Sequence, residues 1–330
     1  MNRHTEQEWQ FTAPPGDAAQ TGISAAQPFA DAQRAILRRY FAAALEQEPR
    51  VRAGSVAAVH DMRIAMRHLE VLLRAWRGYG PAWAMGARPR VRALIGALGA
   101  VRDADVQLGF LARQDGLAAL EAIEPIRARL QAEREKAQAR LRLVLDSPAI
   151  RSWRQGWTQH LEAHSPGSVR AQRAATAAVA RGSIRHAARS LRKRARRIED
   201  ASPPQDFHQV RIRAKRLRYT LDAYASLYGD AALSYTEALG KLQTVLGELH
   251  DATVRERRFA QLVEATPALS AATSFLAGRL VGQDARALMR GRRKFAKAYR
   301  RVSRQRWREL DAVMKQVEHQ AATARPGAER

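Results

Sequence analysis

The feature that most constrains this chain is a basic segment that occurs twice. The segment VHDMRIAMRHL at 59–69 returns as FHQVRIRAKRL at 207–217, an offset of 148 residues (208 minus 60). A second segment, LGAVRDADV at 98–106, returns as LGELHDATV at 246–254 with the same offset. Because two separated segments share one offset, the sequence predicts duplication of a whole unit. That unit is too long for a solenoid repeat, whose period is typically about 20 to 50 residues.

Each copy of the first segment predicts an amphipathic helix with one cationic face. Apolar residues recur at three- and four-residue spacing, which is typical of a helix that buries one side. Two like halves commonly pack about a pseudo-twofold axis, so we expect the two cationic faces to meet. The residues assigned to these faces are His60, Arg63, Arg67 and Arg74 in the first copy and His208, Arg211, Lys215 and Arg218 in the second.

These faces differ from an ordinary solvated helix surface because they carry almost only positive charge. Arg63 and Arg67 are four residues apart, as are Arg211 and Lys215. Like charges at this spacing repel by roughly a few tenths of a kcal/mol per pair. An anion would offset that cost, so the pattern favours a phosphate-binding face; a plain solvated surface is the open alternative. Lys241, on the second repeated helix, is a weaker candidate for the same surface.

The second repeated segment predicts a structural role for its acid. Asp103 and Asp251 stand at matching positions, and each would hold an arginine in place through a charge-assisted hydrogen bond. Gly99 and Gly247 also match, and we expect them to allow close approach of a neighbouring helix.

Charge and composition point to a polyanionic partner. Lys and Arg number 57 against 32 acids, which gives a net charge of +25. Such a balance attracts nucleic acid, an anionic membrane surface or a phosphate polymer. Aromatic residues make up only 6% of the chain, whereas single-stranded nucleic acids are usually bound on aromatic platforms. Basic runs at 185–197 and 290–301 are expected to be solvated faces, or to extend a basic channel or rim.

The order of segments predicts an all-α protein made of two helical bundles. Residues 1–27 lack periodicity and predict a disordered leader; 28–165 and 170–319 form the two halves, and 320–330 a disordered tail. With no cysteine, no signal core and no apolar run long enough to span a bilayer, we expect a cytoplasmic protein. Breaks between helices are expected at Pro49, Gly78–Pro81, Gly116, Ser147–Pro148, Ser165–Gly167, Pro203–Pro204, Gly229 and Pro267.

The doubled His-x-x-Arg-x-x-x-Arg/Lys-x-Leu helix, followed each time by an Arg/His-Asp-x-x-Val helix, resembles the conserved histidine α-helical domain (CHAD) family over about residues 28–319. The resemblance implies two pseudo-symmetric bundles around a basic central channel that binds inorganic polyphosphate, and association with polyphosphate granules. On that pattern the anion contacts would be His60, Arg63, Arg67, His208, Arg211 and Lys215, with Arg74 and Arg218 extending the same faces.

The two copies of the repeat are not identical in charge, and the sequence lacks a motif of the triphosphate-hydrolysing domain to which some members of the CHAD family are fused. Asp222 stands where the first half has Arg74, which predicts unequal charge along the channel. No Glu-x-Glu-x-Lys motif of an accompanying triphosphate-hydrolysing domain is present in the sequence.

Two other functions stay open at this point. A module that reads a nucleic-acid backbone would also use basic helices, although no helix-turn-helix or zinc-finger signature is present in the sequence. A metal-dependent phosphohydrolase would use the dipeptides His60-Asp61 and His250-Asp251. A dication would be repelled by the surrounding arginines, and Asp61 has Gln209 as its repeat partner. We therefore expect no catalytic residues, no metal and no cofactor.

Overall fold

The computed structural model describes residues 22–113, 123–163, 167–199, 201–264 and 271–324. Over these ranges the all-α prediction is confirmed: the chain forms helices and no β-strand, with a single bridge between Pro28 and Ala175. The helices are α1 (Phe29–Arg52), α2 (Val56–Ala75), α3 (Ala82–Met85), α4 (Arg88–Ala112), α5 (Glu124–Leu145), α6 (Pro148–Glu162), α7 (Val169–Arg173), α8 (Thr176–Ala195), α9 (Pro204–Asp222), α10 (Gly229–Glu264), α11 (Ala271–Ser303) and α12 (Gln305–Thr323), with a 3₁₀ turn at Ala225–Leu227.

Helices pack in the same order in the two parts of the chain. In the first part α2 packs between α1 and α4, and α4 packs against α5. In the second part α9 packs between α8 and α10, and α10 packs against α11. The two parts meet where α2 contacts α9, which are the helices that carry the repeated basic segment.

The apolar sides of α2 and α9 are buried, as their periodicity predicts. The Ser55 hydroxyl caps the start of α2, and Pro204 stands in the first turn of α9, where a missing N–H costs nothing. Just beyond the two helices, the Trp76 indole N–H donates to the Tyr224 hydroxyl at 2.6 Å, and both rings are fully buried. These two residues are 148 positions apart, so equivalent positions of the repeat touch.

A second contact between the two parts lies at the far ends of α4, α5, α10 and α11. Leu111 and Phe259 share a small buried cluster with Leu130 and Leu280. The Arg255 guanidinium lies over the Phe110 ring at 4.1 Å from its centroid. The two parts are thus joined both at α2–α9 and at the tips of their outer helix pairs.

Several predicted boundaries are wrong. Residues 22–27 are not a disordered leader, because the backbone N–H groups of Thr176 and Ala177 donate to carbonyls of Gln27 and Ala25. Helix α1 continues through Pro49 and ends three residues later. At the other end, α12 runs to Thr323, into the predicted tail.

Other predictions lie outside the described residues. These are the breaks at Gly116 and Pro267, most of the leader and tail, and Ser165–Pro166 within the break predicted at Ser165–Gly167. Among the helices described, none is long and apolar enough to cross a bilayer.

Candidate anion-binding site

The contact between α2 and α9 gathers six of the sequence-predicted residues into one group, which we call the central cluster. Its charges interact across the two halves: Arg211 and Arg63 both lower the pKa of Lys215, and Lys215 lowers that of His60. The members of the central cluster predicted from the sequence are His60, Arg63, Arg67, His208, Arg211 and Lys215.

Arg63 and Arg211 occupy equivalent positions and have equivalent surroundings. Both side chains are partly buried, and in each the Nε atom is inaccessible to solvent and has no hydrogen-bond partner among the described residues. Burial lowers the pKa of both guanidinium groups. A buried donor without a partner costs about 1–3 kcal/mol, so both arginines are poised to gain from an incoming acceptor.

Lys215 is affected both by burial and by the charges of its neighbours. Burial lowers its pKa well below the ordinary value, and the nearby charges of Arg211 and Arg63 lower it further. Asp251 is an acid that acts in the opposite direction and raises the pKa of Lys215. Its effect is smaller than the combined effect of burial and the neighbouring arginines. An anion bound here would favour the charged ammonium.

The two histidines of the repeated helix face different partners. Burial, followed by the charges of Arg102, Arg63 and Lys215, lowers the pKa of His60 to about 4. His208 instead lies against His250, with 3.1 Å between their Nδ1 atoms and the rings stacked at 4.6 Å. At that distance one ring donates to the other, so the pair accommodates one proton on the two facing nitrogens.

His250 carries the most strongly perturbed imidazole in this site. Burial, then Arg211, His208 and Lys215, lower its pKa to about 3. Both His60 and His250 are therefore uncharged at neutral pH when no anion is present, although nearby negative charge would favour their protonation.

The carboxylates of the second repeated segment lie beside the cluster. Asp103 raises the pKa of Arg63, and Asp251 and Asp103 both raise that of Arg211, so Asp103 acts on the arginines of both halves. Burial raises the pKa of Asp251 itself. The interaction is electrostatic; the hydrogen bond that the sequence predicted is not among the bonds found in the described residues.

Gly99 faces the side chain of an arginine rather than the backbone of a second helix. A methyl group added there would meet the Arg63 Nε at 3.7 Å. The prediction that this glycine permits close approach is therefore corrected in its detail, because the group that approaches is the Arg63 side chain. An open groove of about 530 Å³ lies alongside, between α2 and α4. The charged residues of its lining are Arg63, Arg67, Glu70, Arg92 and Asp103.

Three of the sequence-predicted residues lie apart from the centre of this group. Arg74 influences Arg88, Arg213 and Arg216, which lie on another basic surface at the C-terminal end of α2.

Arg218 donates to the Gln243 side chain at 3.1 Å and has its Nε 3.9 Å from Asp222. Lys241 is exposed and pairs with Glu237 on its own helix.

The sequence reasoning missed three contributors: Arg102, Tyr219 and His250 as a direct partner of His208. Arg102 and His250 are 148 residues apart, so the repeat itself contained the signal. Tyr219 lies close enough to Arg63 and Arg211 to affect their pKa values. Asp222 has its Oδ2 3.5 Å from the buried His68 Nε2, which couples it to the first half. Over the described ranges, no group of three His, Cys, Asp or Glu residues is arranged to hold a metal ion.

These features define an all-helical protein in which two like helices meet at a cluster of cations. A family model for the CHAD domain matches residues 35–260, and the chain belongs to this family, which confirms the resemblance drawn from the doubled segment.

Two solved structures share the fold. The chain is 25% identical to the CHAD domain from the plant Ricinus communis, with a TM-score of 0.63, covering 83% of this chain and 95% of that one. PptA from Streptomyces chartreusis is 20% identical, with a TM-score of 0.64, covering 83% of this chain and 100% of that one.

Curated relatives are longer. An uncharacterized protein of Mycobacterium tuberculosis, found in two strains, is 30% identical over 271 residues, which is 77% of this chain and 50% of the relative. The chain thus spans about half the length of the curated relatives it matches.

Proposed function

We propose that the protein binds inorganic polyphosphate at the central cluster, without catalysis. One observation carries the proposal: Arg63 and Arg211, at equivalent positions in two facing helices, each present a buried Nε with no hydrogen-bond partner among the described residues. A phosphate chain supplies acceptor oxygens for both at once. Arginine suits this role because its planar guanidinium offers forked donors and does not lose its charge.

The excess of positive charge at the central cluster supports the same proposal. Lys215 lies among cations, and Asp103 and Asp251 are the acids that act on the two arginines. Bringing cations together in partly buried surroundings is unfavourable unless an opposite charge joins them. A polymer with about one negative charge per phosphate would provide it and release counterions, as nucleic-acid backbones do.

A nucleic-acid backbone is the alternative ligand. Of the aromatic rings at the junction of the halves, Trp76 and Tyr224 are fully buried against each other, and the Tyr219 ring packs on the buried His68 ring at 4.4 Å between centroids. Base stacking contributes about 1–3 kcal/mol per base in proteins that bind single strands. Inorganic polyphosphate has no bases to stack, so the cationic side chains of the central cluster can satisfy it without an aromatic platform.

Competition between the two ligands tests the proposal. Purified protein is titrated with long-chain polyphosphate and with duplex DNA at ~0.15 M salt and at higher salt, because both affinities fall with ionic strength. We expect polyphosphate to displace DNA. Tighter binding of DNA under both conditions would refute the assignment.

The absence of catalysis is tested in the same sample. Repulsion of a dication by the surrounding arginines supports a binding role. We expect no release of phosphate from polyphosphate when Mg²⁺ or Mn²⁺ is added. Release that depends on the metal and is lost on His60→Gln or His250→Gln substitution would establish a hydrolase instead.

We further propose that the protein is cytoplasmic and associates with polyphosphate granules. The affinity proposed above would concentrate it wherever the polymer accumulates. A fluorescently tagged full-length chain should co-localise with granules and become diffuse when Arg63→Glu and Arg211→Glu are introduced. A diffuse wild-type signal in cells that contain granules would contradict this.

A further inference from the structure

A second basic concavity lies where α11 ends and α12 begins, beside the first turns of α10, where Arg306 donates to the Ser234 carbonyl. It encloses about 810 Å³, more than the groove beside Arg63. Its lining contains one neutral residue, Gln305, and no acid. We call it the corner site, and its cations are Lys297, Arg300, Arg301, Arg304, Arg306 and Arg308.

Most of these cations lack an acidic partner. Arg306 donates to the Ser234 carbonyl at 2.8 Å and lies 3.8 Å from Glu237. Among the described residues, no ion pair involves the other five cations of the corner site. The six cations line the same concavity, so their like charges repel one another.

The surroundings add positive rather than negative charge. The Arg192 guanidinium lies over the Trp307 ring at 4.9 Å, on the inner side of the corner. Arg196 and Arg192 lower the pKa of Tyr299, so they lie close to the last turns of α11. The C-terminal end of α8 therefore brings its own cations toward the same concavity.

The corner site is electrically separate from the central cluster. Glu237, which contacts the corner through Arg306, is thirteen residues from His250 on α10, or about 20 Å along the helix. This exceeds the Debye length of about 8 Å at physiological salt. An anion in the central cluster therefore leaves the corner charges unneutralised.

We propose that the corner site is a second phosphate-chain site, so that one long polyphosphate molecule occupies both sites; this rests on the proposed function of the central cluster. The site is concave and lined by forked donors, which fits a single phosphate strand. A duplex or a bilayer presents its phosphates on a convex or flat surface. The lining also contains no apolar side chain that would enter a bilayer.

Occupying both sites with one molecule has a measurable consequence. Once a long chain is held at one site, its binding at the other is intramolecular, and such linkage raises affinity by about 10²- to 10⁴-fold. Tripolyphosphate is too short to bridge about 20 Å and would occupy the two sites independently.

Calorimetric titration of four proteins with tripolyphosphate, with long-chain polyphosphate and with duplex DNA tests the proposal. They are the wild type, a corner variant (Arg300→Gln, Arg304→Gln, Arg308→Gln), a central variant (Arg63→Gln, Arg211→Gln) and a matched control on the exposed face of α11 (Arg286→Gln, Arg290→Gln, Arg293→Gln). The corner and control substitutions are all at exposed positions and remove equal charge. Circular dichroism establishes that each variant is folded.

We expect two tripolyphosphate molecules per wild-type or control protein, and one per corner or central variant. The affinity for the long chain should fall by at least about a hundredfold in the corner variant relative to the control. A corner variant that matches the control in both measurements would refute the corner site alone. A central variant that matches the wild type would refute the proposed function, while the comparison of corner with control would still be interpretable. Loss of duplex DNA binding in the corner variant, with polyphosphate binding unchanged, would make the corner a nucleic-acid surface and overturn the proposal.

Discussion

The two repeated helices present the same histidine to different partners. His60 lies beside Arg102, whose positive charge lowers the pKa of the imidazole. At the equivalent position of the second half stands His250, stacked on His208. The first half therefore offers a permanent cation, whereas the second offers a pair of imidazoles whose charge depends on pH and on what is bound.

A similar exchange occurs in the ion pairs that join the outer helices. In the first half, Asp105 on α4 binds Arg134 on α5 at 2.6 Å. In the second half, Arg255 on α10 binds Asp284 on α11 at 2.6 Å, with acid and base on opposite helices. Both acids are almost fully buried. The packing of the helices is therefore alike in the two halves, while the charges around it are rearranged.

The largest expected effect on polyphosphate affinity comes from replacing the arginine that both halves carry at the equivalent position. Replacing Arg63 and Arg211 by Glu should abolish polyphosphate binding, a loss of at least about a thousandfold, because breaking a buried charged contact costs about 2–5 kcal/mol. Equilibrium titration measures it. Arg140→Glu with Arg151→Glu, at exposed positions, is the matched control. Equal affinity of the two double variants would remove the central cluster from the account.

Acidification should destabilise the ligand-free protein through the histidine of the first half. The pKa of His60 is about 4 when folded and 6.5 in the reference state, so the unfolded chain binds the proton more strongly. Stability is therefore lost as pH falls through 6.5 toward 4, by about 2 kcal/mol between pH 7.5 and 5. Urea unfolding at the two pH values measures it. The difference should shrink by that amount in His60→Gln; an unchanged difference would contradict the assigned surroundings.

Removal of one oxygen atom from the Trp76–Tyr224 contact should lower the stability of the protein. Tyr224→Phe leaves the buried Trp76 N–H without its acceptor and should lower the free energy of unfolding by about 1–3 kcal/mol. Tyr228→Phe is the control, because that buried hydroxyl has no partner among the described residues. Denaturant titration distinguishes them, and equal stability of the two variants would show that the junction does not depend on this bond.

Exchanging the partners of the two histidines should exchange the pH responses of the halves. The wild type should bind polyphosphate more tightly as pH falls from 8 to 5, because an anion raises the pKa of His250 and binding takes up protons. His250→Arg should bind about tenfold more tightly at pH 8, equivalent to about 1.4 kcal/mol, and vary less with pH. Arg102→His should vary more. Parallel pH profiles for all three proteins would contradict the comparison.

The repeated helices and their cationic faces were predictable because periodicity is a local property. His60, Arg63 and Arg67 lie within seven residues of one another, so the helix repeat alone puts them on one face. The helix repeat also puts Arg74 on this face, but Arg74 is fourteen residues from His60 and about 21 Å further along the helix, so it lies apart from the central cluster. A shared face does not ensure a shared site.

The partners that set the chemistry were not predictable in the same way. Arg102 acts on His60, and His250 stacks on His208, only because α4 and α10 cross the repeated helices at that level. Packing between helices is not contained in the periodicity of either one. At Pro49 a local signal was misleading. Proline is expected to end a helix, but α1 continues for three residues beyond it.

If a phosphate chain binds between the repeated helices, it lies next to their histidines. Binding there can be followed through the imidazole resonances of the nine histidines of the chain. Two-dimensional NMR of histidine-labelled protein, assigned with single His→Gln variants, is recorded while polyphosphate is added. We expect the resonances of His60, His208 and His250 to shift together and to titrate at higher pH, while those of His160 and His319 stay in place. Unchanged resonances of all three at saturating polyphosphate would mean that the ligand binds elsewhere.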